Sequence, residues 1–344
     1  MSICKLCNRK TADKTNSHVI PHFLIQSMIN VDGIKGRNRE LSVGIGKESI
    51  TEYFGSAVLP DKIEQYVGHE LSVEEIEKQK HHFTVDYAFC SDCEKRFASI
   101  ESYYSETKSK ETNELVINEI DSKLSFLFWA SIVWRLSVTN LMDFKLKEKE
   151  NKKLRNLLDN CLNLKISEVI KKAEYFNSCI SNYAYKLMVY PNSENTANRY
   201  CYGHPKFQMP YSLIINNYVL LFYVSKSHVN QIKQTFFGFE QLYENAPINI
   251  QATENESILK IPEILLESSI AKFVELQCED FLKSIINQLN NLHLQLFGLN
   301  CSSQIIDATI TRIIEENPDI LGGRYNNKRM IQIFAEEIEK LVRQ

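Results

Sequence analysis

Cys90-Ser91-Asp92-Cys93-Glu94-Lys95-Arg96-Phe97-Ala98-Ser99-Ile100-Glu101-Ser102-Tyr103-Tyr104 decides how the N-terminal part of this chain folds. A Cys-x-x-Cys clip runs here without a break into an amphipathic helical pattern, with Phe97, Ile100 and Tyr104 on one stripe. A second clip, Cys4-Lys5-Leu6-Cys7, stands at the N-terminus. Four thiolates in two such clips are what a tetrahedral Zn²⁺ requires. Each clip supplies sulfurs to two adjacent corners, and the loop between the clips can have any length. Four ordinary buried cysteines are the competing reading, but a core has no need of paired spacing. Disulfides fit less well, because nothing in the chain points to an oxidising compartment. Cys161, Cys179, Cys201, Cys278 and Cys301 show no paired spacing and read as small core residues.

Between the clips lies Ser17-His18-Val19-Ile20-Pro21. A knuckle, a strand carrying one histidine and a knuckle that opens a helix make up a treble-clef arrangement. These elements resemble the Cys-x-x-Cys, Asp-His-x-x-Pro and Cys-x-x-Cys-Asn elements of zinc-containing HNH (ββα-metal) endonucleases. A closer resemblance is to an uncharacterised bacterial subgroup with Cys-x-x-Cys, Ser-His-Ile-Ile-Pro and Cys-x-x-Cys-Glu motifs. That subgroup has a glutamate in the following helix, here Glu101, and a later Trp-Arg, here Trp134-Arg135. The match covers about the first 145 residues.

The resemblance implies a division of labour. His18 would be the general base, taking a proton from the water that attacks a scissile phosphorus. One Mg²⁺ or Mn²⁺ would neutralise the phosphate, held at the positions of Ser17 and Glu94. The chain departs from the family pattern at both. Ser17 replaces an aspartate, and a neutral hydroxyl is a poor ligand for a hard dication. Glu94 replaces an asparagine or histidine and restores a negative charge from the other side of the site. Glu101 lies two helical turns beyond Glu94, roughly 10 Å along the axis, which suits an arginine contact better than a shared ion. His22 follows Pro21 at the start of a short helix through Met28. His81, His82 and Asp86 precede the second clip and read first as a solvated loop.

The chain has 344 residues, 44% of them hydrophobic, enough for more than one packed unit. The expected fold is α+β and mostly helical. A zinc-bound treble-clef/HNH-like module would occupy 1–112, and a helical domain with a small antiparallel β-sheet around 184–226 would occupy 113–344. A formal charge of −3 argues against a protein that coats nucleic acid by bulk charge. The first forty residues nevertheless carry a positive excess, with Lys5, Arg9, Lys10, Lys14, Lys35, Arg37 and Arg39. Arg37 and Arg39 are the candidate contacts to a phosphate backbone.

Leu124 to Phe144 is apolar on nearly every face, but Arg135 in its middle argues against a membrane span. It reads as a central core helix, and a buried Arg135 needs an anionic partner among Glu94, Glu101 and Glu106. Beyond it, Leu146–Leu158 and Ile166–Asn177 read as helices. Tyr185–Tyr190, Tyr211–Ile215 and Tyr218–Val224 read as strands, the last two joined at Asn216-Asn217. Gln241–Leu259 reads as an irregular linker with room for short strands, and Pro262–Leu299 and Ser303–Gln344 read as helix, broken at Asn317-Pro318 and Gly322-Gly323. With only 11 glycines there is no phosphate-cradling loop. His204 and His228 are isolated. The absence of a basic segment followed by an apolar one after Met1 leads to the expectation of no signal peptide and a cytoplasmic location.

The function expected from the sequence is metal-dependent hydrolysis of nucleic-acid phosphodiester bonds, DNA ahead of RNA, with structural Zn²⁺ and catalytic Mg²⁺ or Mn²⁺. An accessory or defence role is the expected setting. The alternative is a catalytically inactive zinc-stabilised module that binds nucleic acid or protein. Nucleic acid is the expected partner, with a protein partner or a second copy of the chain engaged through the C-terminal helices. No membrane association is expected.

Overall fold

The apolar stretch after Asp121 forms helix α3 (Ser122–Thr139), and every residue from Ser122 to Ser137 except Lys123 is buried. A helix apolar on all sides has to be enclosed on all sides, and the first unit of the protein is arranged around that requirement. The Asp121 carboxylate caps its start, accepting from the Lys123 N–H at 2.9 Å. Asn140, in the left-handed conformation at φ 54°, closes its end. The computed structural model describes residues 2–30, 37–45, 50–58, 79, 81–171, 180–190, 200–229, 244–250, 255–316 and 327–342.

Before α3 come β1 (Ser17–His18), α1 (His22–Ile29), a 3₁₀ turn at Arg37–Arg39, and strands β2 (Leu41–Ile45) and β3 (Ile50–Phe54), which pair with each other. Strand β4 (Thr84–Val85) pairs antiparallel with β1, placing Ser17 opposite Val85 and His18 opposite Thr84. Helix α2 (Ser91–Ser105) leaves the second clip, with Cys93, Phe97, Ile100 and Tyr104 on its buried face. After α3 follow α4 (Glu148–Cys161) and α5 (Ile166–Lys171).

The sheet is larger than the sequence suggested. It has eight strands: β5 (Ser109–Glu111), β6 (Leu115–Asp121), β7 (Ala184–Val189), β8 (Tyr200–Gln208), β9 (Tyr211–Asn216), β10 (Tyr218–Tyr223), β11 (Ile248–Asn249) and β12 (Asn255–Lys260). Their order is β5-β6-β12-β7-β10-β9-β8, with β11 also on β7. The pairing of β12 with β7 is parallel, so the sheet is mixed rather than antiparallel. The segment read as a linker with room for short strands, Gln241–Leu259, supplies β11 and nearly all of β12, and these lie in the middle of the sheet. The β9–β10 turn is where the sequence placed it, with Asn216 at φ 56°.

One side of α3 faces the sheet through Phe126, whose ring lies 6.1 Å from that of Phe222, and Trp129, 5.7 Å from Tyr218. The other side faces α2, where Tyr104 stacks on Phe128 at 3.8 Å and Phe97 lies 6.4 Å from Trp134. The clip cysteines, α2, α3 and the sheet share one hydrophobic core. Through that core runs a polar network on Glu256, which is fully buried. Glu256 Oε1 accepts from Trp129 Nε1 at 2.9 Å and Tyr185 Oη at 2.7 Å. Its Oε2 accepts from Tyr104 Oη at 2.7 Å and Asn118 Nδ2 at 2.6 Å. Burial raises the Glu256 pKa, and the donors oppose that shift.

Compactness divides the chain into a first unit, Met1–Ser42 with Tyr53–Ile270, and a second, Val43–Glu52 with Ala271–Gln344. In the second, Ile285 and Leu289 of α6 (Glu263–Phe297) pack with Ile305 and Ile313 of α7 (Ser303–Glu316) and Ile333 and Phe334 of α8 (Asn327–Val342). Arg312 of α7 pairs with Glu336 and Glu337 of α8. Among the described residues the structure has eight α-helices, and none is long and apolar enough to cross a membrane.

Each Glu256 oxygen faces a nitrogen that can only donate, Trp129 Nε1 or Asn118 Nδ2, and the Ser109 hydroxyl donating to Asn118 Oδ1 at 2.6 Å holds that amide in this orientation. In Glu256→Gln, an amide NH₂ has to oppose one of them. The variant is expected to lose about 1–3 kcal/mol of stability in urea unfolding, the cost of an unsatisfied buried polar group.

Candidate active site and metal centre

The first clip turns tightly because Asn8 takes a left-handed conformation at φ 50°. Two backbone bonds then fix its shape, Asn8 N–H to Cys4 O at 2.9 Å and Cys4 N–H to Lys10 O at 2.8 Å. The Lys5 N–H reaches across to Ala88 O at 2.9 Å and brings the second clip alongside. Cys90 immediately precedes α2 and Cys93 sits in its first turn. The four sulfurs of Cys4, Cys7, Cys90 and Cys93 all lie within 4.8 Å of one another, and all four residues are buried. Cys7 Sγ and Cys90 Sγ are 4.0 Å apart. Tetrahedral Zn–S bonds of about 2.3 Å place sulfurs roughly 3.8 Å apart, so the group could hold a metal such as zinc. The Cys4 sulfur accepts from the Cys93 thiol, which lowers the Cys4 pKa to about 4 and, together with burial, pushes Cys93 up.

His18 is fixed from behind. The Arg135 guanidinium, only 1% exposed, donates through Nη1 to the His18 carbonyl at 2.8 Å. Its Nη2 pairs with Glu101 Oε1 at 2.7 Å, and its Cζ lies 4.7 Å over the Phe97 ring. Of the three glutamates the sequence offered to Arg135, Glu101 makes the ion pair. Ser17, also 1% exposed, lies close enough to Glu94 for its hydroxyl to lower the Glu94 pKa, yet Ser17 Oγ and Glu94 Oε1 are both buried without a hydrogen-bond partner among the described residues. Burial outweighs the Ser17 effect, so the net shift is upward. The nearby Arg135 charge works against that shift and the Glu101 charge adds to it.

The sequence did not single out Glu40, which is fully buried. Its Oε1 lies 2.8 Å from His22 Nε2, and its Oε2 lies 3.1 Å from His81 Nε2. His81 Nδ1 accepts from the Phe83 N–H at 3.1 Å, so Nε2 carries the proton that it gives to Glu40. The His18 ring packs edge-on against both, 5.7 Å from His22 and 5.6 Å from His81. Three imidazoles and a buried carboxylate thus form one cluster. The expectation that His81 and His82 lie in a solvated loop is corrected: both are part-buried, and His82 Nδ1 lies 2.8 Å from Ser42 Oγ. Asp86 is exposed and accepts from the Asn16 N–H.

The cluster, the Ser17–Glu94 contact and the metal knuckle all lie in the first unit. Arg37 and Arg39 form the 3₁₀ turn immediately before Glu40, and Arg39 is exposed. Lys35 lies outside the described residues. Of the other early cations, Arg9 is committed to Asp159, which Arg96 also holds, and Lys10 to Asp92. No protein-family model, curated protein or solved structure matches the chain.

Because the folded pKa of Glu94 lies above the ordinary 4.5, the wild type has its full stability below that value and loses some as pH rises through the folded pKa. Glu94→Gln, which mimics the protonated form, is expected to melt above the wild type at pH 7 without added divalent cation. The gap should close as pH falls below about 4.5. A thermal series across pH checks this.

Proposed function

We propose that the first unit carries a treble-clef, HNH-like endonuclease module, with Zn²⁺ on Cys4, Cys7, Cys90 and Cys93, that hydrolyses phosphodiester bonds in nucleic acid, DNA ahead of RNA. The observation that carries this reading is the meeting of Ser17 and Glu94 beside a histidine strand held by Arg135. A second-clip helix and the His18 strand have to lie together for such a site to form, and separate structural roles would not require it.

Glu94 and Ser17 offer one carboxylate and one hydroxyl to a Mg²⁺ or Mn²⁺. Such a cation keeps several waters and takes further ligands from a phosphate, so the Glu94 carboxylate would be its main protein ligand and the Ser17 hydroxyl a weak one. When bound, the cation neutralises the phosphate and stabilises the leaving oxygen. His18 takes one proton from a water as the water oxygen forms its bond to phosphorus. The P–O bond to the leaving oxygen then breaks, and that oxygen gains a proton from solvent. Glu40 holds the His22 and His81 rings against His18 and so fixes the walls of the site. Arg39, and Arg37 beside it, supply charge for the flanking phosphates.

The lone carboxylate also favours a second reading, a noncatalytic zinc module that binds nucleic acid. Cleavage separates the two. With Mn²⁺ or Mg²⁺, wild-type protein is expected to nick supercoiled plasmid and to stop on chelation. His18→Ala is expected to lower the rate by about 10²–10⁴-fold, the usual contribution of a general base. The variant should keep its fold, because Arg135 binds the main-chain oxygen of residue 18 and not the ring. Wild-type protein that cleaves neither DNA nor RNA with any of several divalent ions supports the noncatalytic reading.

The metal has its own test. Elemental analysis is expected to find one zinc per chain, and Cys93→Ala is expected to lose it and unfold the module, since metal binding there is largely folding free energy.

A further inference from the structure

Within the positive excess of the first forty residues, Arg9 and Lys10 are paired with carboxylates, and Lys5 turns instead toward cations from later in the chain. A different set of cations gathers where the first clip meets the end of α3 and the start of α4. Lys5, Lys145, Lys152 and Arg155 line a groove of about 610 Å³ with Asn8, and Glu148 is the carboxylate among its lining residues. Lys5, Lys145 and Lys152 are exposed. The Lys5 ammonium donates to the Val138 carbonyl, which draws it over the C-terminal end of α3. Arg155 Nη1 donates to the Leu6 carbonyl at 3.1 Å and Nη2 to Asn156 Oδ1 at 2.6 Å. Its guanidinium therefore braces the metal knuckle while its charge stays in the groove.

We infer that this groove binds the phosphodiester backbone of a nucleic acid. The proposal rests on the reading above only for the identity of the ligand; it needs no cleavage. Four cations from three separate segments, with a single carboxylate among them, make a strip of positive potential on a chain whose net charge is −3. Local charge of this kind is what counterion release acts on, independently of the total. Exposed lysine ammoniums act as point charges that suit a polymer of phosphates, whereas one tightly bound small anion would call for a fixed guanidinium fork. The one arginine present already has protein partners. The groove also shares its supporting helix with the candidate active site. Arg135 holds the His18 carbonyl, and Val138, three residues on, holds Lys5. The two contacts are separated by about 4.5 Å of helical rise. A backbone lying along Lys5, Lys145 and Lys152 is thus anchored one turn of α3 from the residue that fixes His18.

The test is a salt series of equilibrium binding with no divalent cation added, using a fluorescent DNA duplex and, in parallel, a single-stranded RNA. Three full-length proteins are compared: wild type, Lys145→Gln/Lys152→Gln in the groove, and Lys149→Gln/Lys153→Gln on exposed positions of the same helix outside it. For duplex DNA, each lost phosphate contact removes about 0.9 from the slope of log affinity against log salt. The groove variant is expected to lose about 1.8, or about 1.4 if RNA is the polymer bound, at about 0.7 per contact. The outer pair should leave the slope as in wild type. Zinc content and melting temperature should be unchanged in both, since all four lysines are exposed. An unchanged slope in the groove variant, an equal loss in the outer pair, or no salt-dependent binding of either polymer overturns the proposal. Groove-dependent binding without cleavage in the Mn²⁺ assay sinks the nuclease reading alone, and cleavage with groove-independent binding sinks the groove alone.

Discussion

The guanidinium of Arg135 is the interaction on which the N-terminal architecture turns. It lies in a helix that is otherwise apolar on every side, so it is desolvated, and a desolvated charge persists only with full hydrogen bonding and a counter-charge. Glu101 supplies the charge from α2, the His18 carbonyl supplies an acceptor from β1, and Ser131 O and the Phe97 ring complete the enclosure. Removing one partner of such a buried pair costs about 3–5 kcal/mol. That penalty holds three elements, drawn from residues 18, 101 and 135, in one arrangement. The candidate site is a product of that arrangement, since His18 and Glu94 are carried by two of the three elements.

Glu256 plays the complementary role on the sheet side. Four neutral donors from α2, β6, α3 and β7 converge on one carboxylate, and the whole set is buried. Low dielectric strengthens such a network when every member is satisfied and penalises it heavily when one is not. Together the two nodes make the apolar helix specific. Hydrophobic burial gathers α2, α3 and the sheet, and the polar nodes set which residues face which.

Much of this was legible in the sequence and some was not, for physical reasons. The clips, the α2 stripe and α3 were visible because metal ligation and helical periodicity are local signals. Arg135 announced its need for an anion, though the choice of Glu101 came from packing. Strand β8 was hidden because Gly203 and Pro205 demote a strand pattern; it lies at the edge of the sheet, where proline is tolerated. β12 was visible only as a short strand allowed within a linker, because Asn255 and Glu256 look like loop residues, and the reason Glu256 is buried lies in partners more than seventy residues away. Glu40 carried no local signal either. Its significance comes from histidines 18 and 41 positions distant, and only the folded chain brings them together. The basic groove shows the same limit, since Lys5 is well over a hundred residues from Lys145 and Lys152.

The long reach of these contacts also governs the order in which the protein can be built on a ribosome. Residue 4 waits for residue 93 to complete its sulfur cluster, His18 waits for Arg135, and the Tyr104 hydroxyl waits for Glu256. At roughly 5–20 residues per second, the interval between emergence of Tyr104 and emergence of its carboxylate partner is on the order of ten seconds. During that time the Tyr104 hydroxyl lacks its carboxylate acceptor, although α3, whose Phe128 and Trp134 face the α2 stripe, emerges well before it. The nascent chain can thus close the four-thiol knuckle and the His18–Arg135 contact before most of the sheet has been synthesised, and the Glu256 network is the last of these contacts to form.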